Sequence, residues 1–236
     1  MFIGHFAMGY AAKNLNTRVS LGTYFLAAQL LDLIWPTLLL LNIENAEIST
    51  DTSHPVPLVF TSDPFSHSLV LVVLWGLIFG LVYFLFKKQR STALLLSFVV
   101  ISHWLLDLIV HIPDLPLWPG NSPLLGLGLW KSRALTLVFE VGFFIAAVMF
   151  YFYHTKPKNN SGRFASWGLV VFLVIIHLAN IYEPVPKDME AVAWAGHLQW
   201  IFVIWAYWSD YNRKEKKMQP VPVERGFGRK MMARSE

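Results

Sequence analysis

Six stretches of this chain are apolar for long enough to cross a bilayer, and nothing else limits its fold as sharply. A spanning helix needs roughly 20 predominantly apolar residues. The stretches Val19–Leu41, Ser66–Phe86, Ser91–Ile112, Arg133–Tyr153, Phe164–Tyr182 and Ala191–Ser209 each answer to that description. Charged residues make up 14% of the chain and hydrophobic ones 55%, where a soluble domain carries roughly 25% charged residues. Hydrocarbon offers no water to backbone N–H and C=O groups, so such stretches close their hydrogen bonds as helices. The fold class expected is all-α, a polytopic membrane helix bundle of about six transmembrane helices. Met1 to Ala12 is too short to span and lacks the basic n-region of a cleaved signal peptide. It reads as an N-terminal half-helix, or an interfacial one.

Charge supplies the expected orientation. Sixteen of the nineteen basic residues fall on one set of connections and on the tail. Lys13 and Arg18, then Lys87, Lys88 and Arg90, then Lys156, Lys158 and Arg163 precede the basic run after Asp210. The opposite set holds only Lys131, Arg133 and Lys187, among Glu44, Glu47, Asp51, Asp63, Asp114, Glu183, Asp188 and Glu190. Basic connections stay in the cytoplasm, so the C-terminus is expected there, in a multi-pass protein of the plasma (inner) membrane. Residues 1–209 read as a single membrane-embedded helical domain and 210–236 as a basic cytoplasmic tail. The expected partner of the tail is anionic lipid, not nucleic acid. With no cysteine in the chain, any metal site must be built from His, Asp and Glu.

An ionisable side chain inside a span is costly and marks a functional position by default. Those within or beside the spans are Asp32, His67, His103, Asp107, His111, Glu140, His177 and His197. At about 1.5 Å rise per residue, all fall in the outer half of the bundle. His103, Asp107 and His111 recur at i, i+4 and i+8 and so share one stripe of a helix. A histidine and a carboxylate one turn apart can chelate a metal ion or form a hydrogen-bonded pair. The plainer readings stand beside this one. Asp32 suits an interhelical hydrogen bond, Glu140 a pairing with Arg133 or a histidine, and His177 and His197 read as core or interfacial histidines. Histidine pairs also ligate haem, which gives no reason for three additional acids.

At these residues the chain resembles the YdjM-like membrane-bound metal-dependent hydrolases, distant relatives of the zinc-dependent phospholipase C and single-strand nuclease superfamily. The resemblance rests on Gly4-His5-Phe6-Ala7-Met8-Gly9, Leu30-Leu31-Asp32, Phe65-Ser66-His67-Ser68-Leu69, Ser102-His103-Trp104-Leu105-Leu106-Asp107 and Glu140. It reaches from the N-terminus to about residue 140. It implies a principal site of Asp32, His67, His103 and Asp107, and a second where His5, with the N-terminal backbone, meets Asp107. A third would need His111 and Glu140. Superfamily members carry a histidine one turn before the acid of that third site, where this chain has Thr136. Thr61-Ser62-Asp63-Pro64-Phe65 likewise replaces their His-Arg-Gly stretch. The resemblance therefore implies one to two zinc ions rather than three, with manganese or iron also compatible with such ligands.

The function expected on these grounds is a metal-dependent hydrolase whose site lies in the outer half of the bilayer. Its substrate would be a phosphoester or a related lipid-linked molecule, with Asp32 as a ligand or as general base on a metal-bound water. Trp104, Trp118 and Trp130 are candidates to frame the entrance. The loop Pro113–Ser132, with Gly126 and Gly128, reads as a lid. Lys131 and Arg133 are placed to meet an anionic head group or to snorkel. Two other classes stay open: a transporter or channel, and a non-catalytic protein with a structural or relict metal site. Transport favours ionisable groups continuing toward the cytoplasmic side, and that half of the spans reads as dry.

Overall fold

The apolar stretches fold as helices in the computed structural model, which describes residues 1–49, 58–182 and 186–216. In chain order the elements begin α1 (Ile3–Leu15), α2 (Leu21–Ala28), α3 (Leu30–Leu40), β1 (Asn45–Ile48), β2 (Leu58–Ser62), α4 (Leu69–Lys87) and α5 (Arg90–Val110). They continue with β3 (Leu115–Pro116), β4 (Leu124–Leu125), a 3₁₀ turn (Leu129–Lys131), α6 (Arg133–His154), β5 (Thr155–Pro157), α7 (Asn160–Tyr182), α8 (Met189–His197), α9 (Gln199–Tyr211) and β6 (Arg213–Glu215). Among these, α4, α5, α6 and α7 are each long and apolar enough to cross a membrane. The α2–α3 pair makes a fifth if its 50° bend is taken within one span. The stretch expected to be a sixth span divides into α8 and α9 at Leu198, and neither half is long enough by itself.

The bend at Gln29 and the proline at position 36 both loosen the α2–α3 rod. Pro36 lies inside α3, where it has no N–H to give the carbonyl of Asp32. α4 and α5 form the tightest pair, joined through Lys88 in a left-handed turn with φ 56°. Gly76 and Gly80, one turn apart on α4, let the backbones approach as small residues do between membrane helices. A Cβ on Gly80 would stand 2.0 Å from Ser97 Oγ and 2.8 Å from Ala93 O. The opposite side of α4 shows Leu74, Leu77 and Leu81 outward, as a lipid-facing surface should.

The half-helix is not interfacial. α1 threads the middle of the bundle between α2 and α6, and Ile3, Phe6, Ala7 and Tyr10 are buried against Phe25, Phe144 and Tyr151. Its first residue lies at the end of the bundle that carries the β1–β2 and β3–β4 hairpins; its last turn lies at the other. There Lys13 Nζ donates to Asp210 Oδ2 (2.8 Å) and to the carbonyls of Thr17 (2.7 Å) and Val19 (2.8 Å). Tyr151 Oη donates to Asp210 Oδ1 (3.0 Å). Arg213 is buried beside them, donating through Nε to Thr155 Oγ1 (3.0 Å) and through Nη2 to Thr155 O (3.1 Å). So the half of the bundle expected to be dry holds a second buried polar cluster. Asp210 and the β5–β6 pairing also extend the packed structure into the stretch read as a tail. The rest of that tail, 217–236, and the centre of the first long loop, 50–57, lie outside the described residues.

The α4–α5 contact makes a direct stability prediction. Gly80→Leu should destabilise the bundle by about 1–3 kcal/mol through overpacking, lowering the thermal midpoint in detergent. Gly142→Leu should leave that midpoint nearly unchanged, because a Cβ on Gly142 meets nothing within 4 Å. Equal midpoints for the two variants would refute the close-packing account.

Candidate metal centre

The α5 stripe forms as its spacing predicts, and each imidazole on it is oriented by its neighbours. His103 donates through Nδ1 to the carbonyl of Ala28 (2.8 Å), the last residue of α2 before the bend. His111 ends α5: its N–H closes the last turn on Asp107 O (2.8 Å), and its Nδ1 pairs with Asp114 Oδ1 (2.9 Å). His67 comes from the turn before α4, where its N–H bonds Asp63 O (3.1 Å) and its Nδ1 meets Ser66 Oγ (2.7 Å). The Ser66 hydroxyl in turn donates to Glu44 Oε2 (2.5 Å), while Glu44 Oε1 accepts the N–H groups of Phe65 (2.7 Å) and Ser66 (2.8 Å). In all three rings an acceptor holds the Nδ1 proton, which leaves an Nε2 lone pair. A second hydrogen bond of this sort fixes the tautomer of metal-binding histidines.

Those Nε2 atoms converge on two carboxylates. His103 Nε2 lies 3.1 Å from Asp107 Oδ2 and 3.5 Å from Asp32 Oδ1. His67 Nε2 lies 3.6 Å from Asp32 Oδ1 and 4.0 Å from Asp107 Oδ2. The other oxygen, Asp107 Oδ1, faces His5 Nε2 (3.1 Å), His111 Nε2 (3.7 Å) and the Met1 ammonium, which bonds it. The rings of His5 and His103 stack at 3.5 Å. Asp107 thus stands between two bays. One is built from Asp32, His67 and His103, the other from His5 and His111.

Lone pairs facing carboxylate oxygens repel unless a cation or a proton lies between them. The cluster and its rim contain Asp32, Glu44, Asp63, Asp107, Asp114 and Glu140, most of them buried, and no lysine or arginine pairs with any of these among the described residues. Burial pushes the Asp63 carboxyl up to about 7. His103 Nε2 lacks a hydrogen-bond partner although it is sealed from water. Two ligands at about 2.0–2.1 Å from a tetrahedral zinc stand roughly 3.3 Å apart, close to the separations here. The donor set suits a divalent ion. Two groups have ligand atoms close enough together to hold one, His5 with His103 and Asp107, and Asp32 with His67 and His103. They share His103, whose single free nitrogen can serve only one of them.

Seven residues were candidates from the sequence, and the structure gathers five of them around a sixth, Asp107. Glu140 stands apart, 3.9 Å from His177 Nδ1, and neither it nor His111 completes a three-ligand group among the described residues. His197 is half-buried beside Trp194, away from the cluster. Sequence reading missed the supports Glu44, Ser66, Asp63 and Asp114. Glu44 sits in a loop whose folding brings it to Ser66 from 22 residues away, whereas Asp63, Ser66 and Asp114 lie within four residues of the histidine they support and were open to inspection.

The framing residues also differ from expectation. Trp104 is buried in the core with Tyr24 and Leu96, and Trp118 is exposed; only Trp130 lines the cavity above the cluster. The 113–132 loop is tied to α5 by Leu127 N–H to Leu108 O (2.8 Å) and Gly128 N–H to His111 O (2.7 Å). Gly126 packs against the Ile112 carbonyl, 2.1 Å from where a Cβ would sit. These glycines seat the loop rather than hinge it. Arg133 lies over the Tyr182 ring, 5.5 Å from its centroid. Comparisons with protein-family models, with curated proteins and with solved structures found no match to this chain.

Proposed function

We propose that the chain is a membrane-embedded, metal-dependent hydrolase, with zinc the favoured ion, acting on a phosphoester or related lipid-linked substrate. One observation carries the reading. Three imidazoles, each with its Nδ1 proton committed to an acceptor, turn their Nε2 atoms onto Asp32 and Asp107 inside an apolar bundle. Bound zinc supplies a water that ionises near neutral pH and a Lewis acid for a phosphoryl or acyl oxygen. Asp32, His67 and His103, with Asp107 beside them, would hold the principal ion; His5 and His111 meet the other oxygen of Asp107, where a second ion would displace the Met1 ammonium. Of the carboxyls that line the cavity, Asp32 is the most open, with its side chain 21% exposed against 1% for Asp107 and 2% for Glu140. It is the group placed to take a proton from an attacking water. Glu140 and His177 line the same cavity, 3.9 Å from each other.

The same reading places the site in the outer half of the plasma (inner) membrane. α8 and α9 together complete a sixth crossing, and the end bearing Lys13, Arg163 and Arg213 is cytoplasmic, with the C-terminus. The positive-inside bias supports this.

Three outcomes test these statements. Purified protein should hold one to two equivalents of zinc by elemental analysis, and His103→Ala and Asp107→Ala should lose them. Absence of metal from the unaltered protein, even after zinc reconstitution, rules the hydrolase out. Asp114→Asn and Ser66→Ala remove only the support of a ligand, so each should weaken zinc affinity about 10–100-fold in competition titrations. Unchanged affinity in both would show that these contacts do not orient ligands. Because the chain has no cysteine, single cysteines at Asn121 and Asn159 report sidedness cleanly. A membrane-impermeant maleimide added to intact cells should label the first and spare the second; the reverse pattern inverts the topology.

A further inference from the structure

The cluster forms the floor of a cavity of about 540 Å³ whose walls are largely hydrocarbon. α8 packs on α3 and α9 packs on α7, which opens a wedge between α7 and the α8–α9 junction. Its lining includes Phe172, Leu198 and Ile201, and these three are also exposed on the outside of the bundle. The opening is therefore lateral, among residues of a helix long and apolar enough to span a membrane. What lies outside it is the acyl region of the bilayer, not water.

Depth orders the cavity as a leaflet is ordered. Asp107 lies one turn from the end of α5, whereas Phe172 lies ten residues before the end of α7. Counted from their helix ends, that places Phe172 roughly 10 Å deeper than Asp107, about a third of a hydrocarbon core of roughly 30 Å. Acids and histidines gather at the shallow end, and Phe172, Ile201 and Phe202 mark the deep one. A water-soluble phosphoester would leave these apolar walls unmatched. A lipid would match both ends without changing its depth or tilt.

We propose that this cavity receives the hydrocarbon chain of a bilayer lipid, which slides in sideways between α7 and the α8–α9 junction and brings its polar head to the Asp32–His67–Asp107 floor. The proposal rests on the hydrolase reading only for what the head meets; the chain's seat stands on the walls alone. Ala179 and Ala195 are small lining residues at the wedge, and they set the width through which a chain passes.

The test uses the full chain reconstituted in vesicles of phosphatidylethanolamine and phosphatidylglycerol, with a phosphatidylglycerol carrying a diazirine at mid-chain as the probe. After irradiation, label should appear on Phe202 and Val192, which line the cavity and are shielded from the bilayer. Ala195→Trp and Ala179→Trp should lose that label while Ile175 and Ile204, which face outward, stay labelled. The map of the unaltered protein decides the matter even if a variant misfolds. Label confined to outward residues overturns the proposal. The measurement needs neither metal nor turnover, so the two readings fail separately. Cavity labelling in a protein that binds no zinc would sink the hydrolase alone. Zinc-dependent cleavage of a soluble phosphoester with outward-only labelling would sink the chain site alone.

Discussion

The carboxylate of Asp107, set in the middle of an apolar helix, is the constraint that the rest of the molecule answers. An uncompensated buried charge costs several kcal/mol, and the surrounding chain is arranged to compensate it from both sides. Oδ2 faces His103 and His67; Oδ1 faces His5, His111 and the Met1 ammonium. This explains why so short and apolar a segment as α1 is drawn into the centre of the bundle rather than lying in the interface. Its first turn brings a cation and an imidazole to Asp107, and Phe6 and Tyr10 fill the space beneath.

The other supports are features of backbone rather than of charge. The bend at Gln29 lies directly after Ala28, whose carbonyl orients His103. Gly76 and Gly80 seat α4 tightly on α5, and His67, just before α4, arrives beside His103 as a consequence. Ser66 and Glu44 then fix the ring that this approach delivers. His67 and His103 are thus each held by a bonded partner and by a packed element, the condition for a site with fixed geometry.

Much of this was legible in the residues. Apolar length gave the helices α4 to α7 to within a few residues, because in hydrocarbon no other backbone arrangement closes its hydrogen bonds. The i, i+4, i+8 stripe on α5 gave His103, Asp107 and His111 a common face, as helical geometry requires. Residues that depend on chain folding were less visible. Trp104 sits beside a ligand in sequence yet points into the core, since its position on α5 is about 100° from that of His103. Lys13 read as a loop residue because nothing near it in sequence announces Asp210, its partner 197 positions away. The break at Leu198 escaped a hydropathy window that registers mean apolarity and not where a helix is interrupted.

The two buried polar clusters bear on which chemistry the bundle supports. Lys13 and Tyr151 bond Asp210 at one end, beside Arg213 on Thr155, and the histidines and acids occupy the other. Between them Phe6, Phe25 and Phe144 are buried and pack edge to face with one another or with Tyr10. At the lower end Asp210 takes bonds from Lys13 Nζ, Tyr151 Oη and the N–H of Leu21. The lower cluster therefore serves as a lock that ties α1, α2, α6 and α9 together at the end of the bundle. The upper cluster opens instead onto a cavity whose walls include Trp130, Phe172 and Phe202. On the proposed reading, the upper cluster would serve the reaction and the lower one the fold.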